Sequence, residues 1–307
     1  MAHTVIITGG TGLIGKALSI ALVEKGYHVI ILTRNPSTLS EPGIIEFANW
    51  NPDQRIIDKE VFGSADYIIH LAGAGVADKR WTKKRKEEII KSRIDSSKML
   101  VDSLRTIPNK VKAVVSASAI GWYGEDPAYP PMQPFNEDSP ADHEFLGKTC
   151  KLWEESIDLV TQSSIRLVKL RIGIVLSKDG GAMKEFLKPL KFGIAAILGK
   201  GKQIISWIHI EDVVNMFIMA LENEKWSGVF NAVAPNPVSN KELTLQLAKA
   251  RNKFFIPIHV PAFFLQLMLG EMSVEILKST TVSAEKTLLS GFHFNYPTIE
   301  KALVESL

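Results

Sequence analysis

Gly9, Gly12 and Gly15, spaced three apart in TGGTGLIG, stand directly behind the β-branched run TVIIT. Glycines make no bonds to a substrate; they let a backbone come close to one. Gly9 permits a tight turn, Gly12 lets the chain approach a pyrophosphate, and Gly15 lets the following helix lie close to the strand. Thr11, Leu13 and Ile14 complete the turn and open the helix, whose free N–H groups and dipole attract negative charge. A second apolar run, HVIILT, follows at the spacing of a βαβ unit, so the glycines read as a dinucleotide cradle. At the end of that run, Thr33, Arg34 and Asn35 occupy the place where a carboxylate would accept hydrogen bonds from the adenosine ribose of NAD. A guanidinium there suits the 2′-phosphate of NADP by charge and by geometry, so NADP is expected ahead of NAD.

Other residues with chemistry lie at the ends of later apolar runs, where ligands of open α/β sheets bind. Leu71, Ala72 and Gly73 in HLAGAG are small enough to run beside the cofactor. In SASAIGWYG, Ser116, Ser118 and Tyr123 fall near the nicotinamide end, with Ser118 and Tyr123 the candidates for proton handling. Val175 offers an apolar or backbone contact, and Trp50 either flanks the adenine or fills the core. The single cysteine, Cys150, excludes an internal disulfide and a cysteine-based metal site, and no metal is expected. On an apolar helix face it reads as a small buried residue rather than a nucleophile.

The elements that position these residues follow from pattern. Short apolar runs at 4–8, 28–33, 44–48, 67–72, 112–118, 166–176 and 229–234 alternate with helical stretches near 12–25, 82–105, 144–162 and 211–222. That alternation predicts an α/β fold, a parallel sheet wrapped by helices. The segment 124–142 carries five prolines and no period, which makes it a surface loop and a candidate lid. The run 254–270 is interrupted by Pro257, His259 and Pro261, falls short of a membrane span, and reads as core strand and helix.

The chain has 307 residues, 46% hydrophobic and 22% charged, which suits a folded enzyme and excludes disorder. A net charge of +3 gives no global attraction to nucleic acid or membrane, leaving a small-molecule substrate and a monomer or homodimer as the expected partners. The start MAHTVIITGG has no secretory pattern, and with one cysteine a cytoplasmic location is expected.

Together with TGGTGLIG and HLAGAG, the stretches RWTKKRKEEIIKSR, FLGKTCKLWEE, GKGKQIISWIHIEDV, NAVAPNPVSNKE and GFHFNYPTIEKAL resemble the epimerase-family proteins of the atypical extended short-chain dehydrogenase/reductase superfamily. The resemblance covers nearly the whole chain. It implies a Rossmann-like, doubly wound parallel sheet formed by residues 1–176 plus 209–234. A smaller, mostly helical substrate domain would come from 177–208 plus 235–307. The activity implied is that of an NADP(H)-dependent oxidoreductase or epimerase, with hydride transfer on a small carbonyl or alcohol expected and a catalytically silent NADPH-binding sensor or scaffold as the alternative.

In that superfamily a tyrosine and a lysine four residues later form the acid/base, the lysine drawing the tyrosine pKa down. None of the five tyrosines here has a lysine four positions on, and the alignment through Glu154 puts Leu146 and Cys150 in those places. Ser118 keeps the superfamily's serine position, and Tyr123 is the replacement donor to consider. Arg93 takes the place of an asparagine and would approach the nicotinamide ribose or a substrate carboxylate, while Glu88 would accept ribose hydroxyls. Both lie in a stretch with eight basic residues and two acids between positions 79 and 93, which reads mainly as a solvated helix face. Ile205 replaces the arginine that holds a sugar-nucleotide diphosphate, which argues against such substrates. His209 reads as a structural histidine and Asp212 as the cap of the helix that follows.

Overall fold

The computed structural model describes residues 2–36, 45–128, 133–252 and 254–306. Side-chain alternation in its first strands dictates how the sheet is covered. In β1 (Thr4–Thr8), Val5 and Ile7 face one layer and Ile6 the other, and all three are buried. β2 (His28–Thr33) repeats this, Val29 and Ile31 against Ile30 and Leu32. Strands buried on both faces need helices on both sides. β3 (Ile45–Asn51), the short β4 (Ile56–Ile57), β5 (Tyr67–His70), β6 (Ala113–Ala119) and β7 (Arg166–Ile172) continue the sheet. Between them run α1 (Leu13–Glu24), α2 (Lys59–Gly63), α3 (Lys83–Thr106) and α4 (Phe145–Asp158).

Past β7 the chain leaves the sheet through β8 (Ile174–Ser177), β9 (Gly180–Gly181), α5 (Ala182–Leu190), β10 (Ile194–Leu198), β11 (Ile204–Ile205) and β12 (Trp207–His209). It returns by α6 (Ile210–Glu222) to β13 (Gly228–Ala232) at the sheet edge. The sheet order is β13-β7-β6-β5-β1-β2-β3-β4, parallel except for the β3–β4 pair. Leu18 and Leu22 of α1 and Val213 and Phe217 of α6 cover one face; Met99 and Leu100 of α3 and Ile157 of α4 cover the other. This is a Rossmann-like doubly wound sheet, and the chain order reverses between β1 and β5, which opens a crevice beyond their carboxyl ends.

The C-terminal part is mostly helical: β14 (Val238–Ser239), α7 (Asn240–Ala250), β15 (Ile256–Val260), α8 (Ala262–Leu269), α9 (Ser273–Leu277), α10 (Glu285–Leu289) and α11 (Ile299–Glu305). It shares a further core with α5 and β12 through Met183, Trp207, Leu243 and Leu303. Among the described residues no helix is long and apolar enough to cross a membrane.

Four expectations are corrected here. The run 166–176 is two strands, because at Gly173 a side chain would stand 2.7 Å from the Ser206 carbonyl oxygen, and β8 pairs with β12 instead of the main sheet. The helix expected over 144–162 ends at Asp158 and tightens into a 3₁₀ turn, Leu159–Ser163. The described part of the 124–142 loop is tied down, since the Asp126 carboxylate accepts from Ser279 Oγ, Thr281 N and Thr281 Oγ1. The run 254–270 does form a strand and a helix, but they lie on the surface: β15 buries no residue and α8 only Leu265. Ile44 of the expected strand 44–48 and residues 129–132 of the loop lie outside the described residues.

Candidate functional site

At the switch point Gly9 and Gly15 each have a steric reason. Gly9 has φ +72°, and a side chain on it would stand 2.7 Å from the Leu71 carbonyl. A side chain on Gly15 would stand 2.5 Å from the Cα of Gly10, so only hydrogen lets α1 approach the turn. Gly12 is exposed and would meet only the Gly9 oxygen at 3.4 Å, so its open side faces the crevice. It caps α1 without a side-chain hydrogen bond, and the first turn carries no acid. By contrast Asp58, Thr82 and Ser239 cap α2, α3 and α7 with their side chains. The first N–H groups of α1, beside exposed Thr11 and half-buried Leu13 and Ile14, are thus left for an anion.

Thr8 anchors the turn to β5. Its Oγ1 accepts from Ala72 N at 3.3 Å and pairs with His70 Nδ1 at 2.8 Å, while His70 Nε2 meets Ser97 Oγ at 3.2 Å. Full burial pulls the His70 pKa down to about 4, so the ring stays neutral. This chain of polar groups, which the sequence reading missed, holds Leu71, Ala72 and exposed Gly73 beside the glycine turn. On the far side Gly180 and Gly181 also came unannounced: a side chain on Gly181 would touch Leu13 at 3.0 Å, so this turn closes against the start of α1.

The cofactor residues predicted farther out divide. Thr33 is half-buried and Arg34 exposed at the end of β2, next to β1. Val175 is half-buried in β8, beyond the end of the main-sheet strand. Ser116 is fully buried within β6, its Oγ donating to Ala117 O. Trp50 is 3% exposed among Ile6, Leu32 and Ile68, which settles it as a core residue rather than a flank of the crevice. Glu88 is exposed and paired with Arg85 Nη1 at 2.8 Å. The basic stretch is solvated at Lys83, Lys84 and Lys91, but Arg85 turns inward, its Nη2 donating to Gly75 O.

Ser118 and Tyr123 belong to one buried network. Ser118 Oγ donates to Glu154 Oε1 at 2.7 Å. Arg171 grips Glu154 with both arms, Nε to Oε1 at 2.8 Å and Nη2 to Oε2 at 3.1 Å, and Lys169 adds a contact at 3.4 Å. Arg171 Nη1 donates to the Tyr123 hydroxyl at 3.0 Å, and that hydroxyl donates to Asn231 Oδ1 at 2.6 Å. The Arg171 guanidinium also lies 3.6 Å from the Trp122 ring centre. Tyr123 has no exposed surface, and burial pushes its phenol up to about 12. Arg171, Glu154 and Asn231 were not foreseen; an arginine and an asparagine inside apolar runs were the available signal.

Where the tyrosine and lysine of the superfamily would stand, a side chain on Gly121 would meet Leu146 Cβ at 3.2 Å and Cys150 Sγ at 3.6 Å. Burial pushes the Cys150 thiol up to about 12, which keeps it protonated. Leu146 packs with Trp81, Ile89, Phe145, Leu269 and Met272. Arg93 is the cation beside them. Its Nη1 donates to Ala74 O and Ile89 O, both at 3.0 Å, its guanidinium lies 5.0 Å from the Trp153 ring centre, and it packs against Gly73. His209 is a structural hydrogen-bonding histidine as expected, but it is His209 and not Asp212 that caps α6. Its Nδ1 accepts from Glu211 N, and the Asp212 carboxylate accepts from Asn295 N and Tyr296 N.

A doubly wound sheet with a glycine-lined, uncapped helix start at its switch point defines a protein of the Rossmann-like α/β class. The model of the NAD dependent epimerase/dehydratase family matches residues 5–232, and the chain belongs to that family. A second model, a domain of unknown function (DUF1731), matches residues 260–305. Epimerase family protein YfhF of Bacillus subtilis (strain 168) is 35% identical over 301 residues, covering 97% of this chain and 96% of its own. Epimerase family protein SDR39U1 homolog, chloroplastic, of Arabidopsis thaliana is 33% identical over 312 residues, covering 98% of this chain and 85% of its own. The crystal structure of human epimerase family protein SDR39U1 (isoform 2) with NADPH matches with TM-score 0.85 at 28% identity, over 99% of this chain and 98% of that one.

Proposed function

We propose that the chain binds NADP(H) in the crevice beyond β1 and β5 and acts as an oxidoreductase on a small carbonyl or alcohol. The observation that carries this is the start of α1: Gly12 exposed, no side-chain cap and no acid in the first turn. The residues fit a dinucleotide. Gly9, Thr11, Gly12, Leu13, Ile14 and Gly15 would hold the pyrophosphate, and Leu71, Ala72 and Gly73 would line its path. Thr33 and Arg34 would take the 2′-phosphate; Arg34 is exposed and has no ion pair among the described residues. The human relative crystallised with NADPH supports the same preference.

When bound, the nicotinamide gives up or takes a hydride. Arg93, fixed by two backbone carbonyls, supplies the positive charge that stabilises a carbonyl oxygen as it becomes negative. Ser118 and Tyr123 act behind it, holding the end of β6 through Glu154 and Arg171, and the proton comes from water. Ile205 argues against a sugar nucleotide: it is half-buried in β11, paired to β14, and offers no charge to a diphosphate.

A second reading, an NADPH-binding sensor without turnover, draws on Leu146 and Cys150 filling the places of the usual acid/base and on the buried state of Tyr123. Absorbance of the reduced cofactor with a panel of carbonyl compounds separates the two. Turnover that Arg93→Met abolishes while NADPH binding persists supports the enzyme. Tight NADPH binding with no turnover across the panel supports the sensor, and failure to bind either cofactor form in calorimetry sinks both.

A further inference from the structure

We infer that β15 and α8 form the contact surface of a homodimer, with α8 packing on the α8 of a second copy. Phe254, Ile256, Phe263, Phe264, Leu267 and Met268 are between 47 and 84% exposed. Taking about 200 Å² for a large apolar residue, within the range aromatic residues bury, they present roughly 770 Å². That exceeds the apolar patch of an ordinary monomer, a few hundred Å², and approaches the ~800 Å² each partner gives up in a stable interface. A helix of eight residues that buries only Leu265 is also too short to hold itself by backbone bonds, so its order calls for cover.

The chemistry of the surface selects the occupant. From Phe254 to Gly270 there is no Asp, Glu, Lys or Arg, so two copies related by a two-fold axis meet with no like charges opposed. A helix that lies in a membrane surface carries Lys or Arg on its polar face, and the polar residue of α8 is Gln266. Strand addition at the free edge of β15 is blunted. Ile256 N–H donates to Gly193 O of the β10 side, so position 257 faces the open edge, where Pro257 has no N–H to give. Packing between apolar helices is what remains.

The contact would also brace the crevice. α8 runs into Leu269–Met272, where Leu269 and Met272 pack with Trp81, Phe145 and Leu146, and Glu271 pairs with Lys86. The assembly does not depend on the chemistry proposed for the crevice.

Light scattering and sedimentation of the full chain at micromolar concentration should give twice the 34.0 kDa chain mass. The variant Phe263→Glu/Leu267→Glu should raise the dimer dissociation constant on the order of a hundredfold or more, because it buries unpaired charge, with the circular dichroism of the wild type retained. Should the variant misfold, hydrogen exchange of the wild type decides, since amides 262–269 should gain protection as concentration rises through the dissociation constant. A monomer at every concentration with α8 unprotected overturns the inference. So does a dimer that the well-folded variant leaves intact, or a monomer that floats with phosphatidylcholine/phosphatidylglycerol vesicles.

Discussion

In the proposed cofactor site, Arg34 is the side chain that would decide between two cofactors, because the only difference between them is a phosphate that a guanidinium can hold on two oxygens. Arg34→Glu removes that partner and sets a like charge in its place. NADPH affinity should fall roughly a hundredfold while NADH affinity changes little, since a charge-assisted hydrogen bond contributes about 1.5–3 kcal/mol and repulsion adds to the loss. Titration of the variant with both cofactors checks this, and equal losses would remove Arg34 from the site. His70 makes a different kind of prediction. Buried and neutral with a pKa of about 4 against 6.5 when free, it binds a proton more readily in the unfolded chain. Stability is therefore whole above pH 6.5 and drains away as pH falls towards 4, by about 3 kcal/mol at most. Urea midpoints of the wild type and His70→Gln at pH 7 and pH 4.5 should converge on acidification. Parallel pH dependences in the two proteins would mean that His70 is not the proton acceptor.

At the scale of elements, the β1–turn–α1 unit tolerates no bulk where the helix meets the turn. Gly15→Ala places a methyl 2.5 Å from the Gly10 Cα, which is backbone and cannot rotate away. The turn must move, costing about 1–3 kcal/mol of stability and weakening NADPH binding more than tenfold; a variant with wild-type melting and affinity would show that the turn has slack. The same unit was the most legible part of the sequence. Gly9 and Gly15 answer steric demands and Gly12 leaves the crevice side open, and TVIIT and HVIILT are β-branched runs buried on both faces, so pattern and structure coincide. Legibility failed where distant chain decides. Nothing near Gly173 announces the Ser206 carbonyl that breaks the run 166–176. Nothing in the apolar run 254–270 says that it lies outside the core, because hydrophobicity reports a preference for cover and not its source. The network from Ser118 to Asn231 joins four separate elements, so only Ser118 and Tyr123 could be picked out beforehand, and not the partners that bury them.

Across the whole molecule, the C-terminal part is woven into the sheet rather than set beside it. Phe292 enters the core between α6 and the strands, within 6.4 Å of the Trp226 ring centre, and Asp126 stitches the segment Ser279–Thr281 to the loop after β6. Asp212 is the second stitch. It has no exposed surface, and burial raises its pKa even though two backbone N–H groups, of Asn295 and Tyr296, donate to its two oxygens and oppose that rise. Asp212→Asn keeps the shape but turns one acceptor into an amide N–H₂ facing an N–H donor. One hydrogen bond becomes a donor–donor contact in a dry site, a loss of about 1–3 kcal/mol. The midpoint of urea unfolding should fall with its slope unchanged, and limited proteolysis should cut near residues 293–298 in the variant before it does so in the wild type. If the midpoint held and the cleavage pattern stayed the same, the aromatic packing of Phe292 and Phe294 would suffice to seat the C-terminal segment, and the carboxylate would be incidental to it.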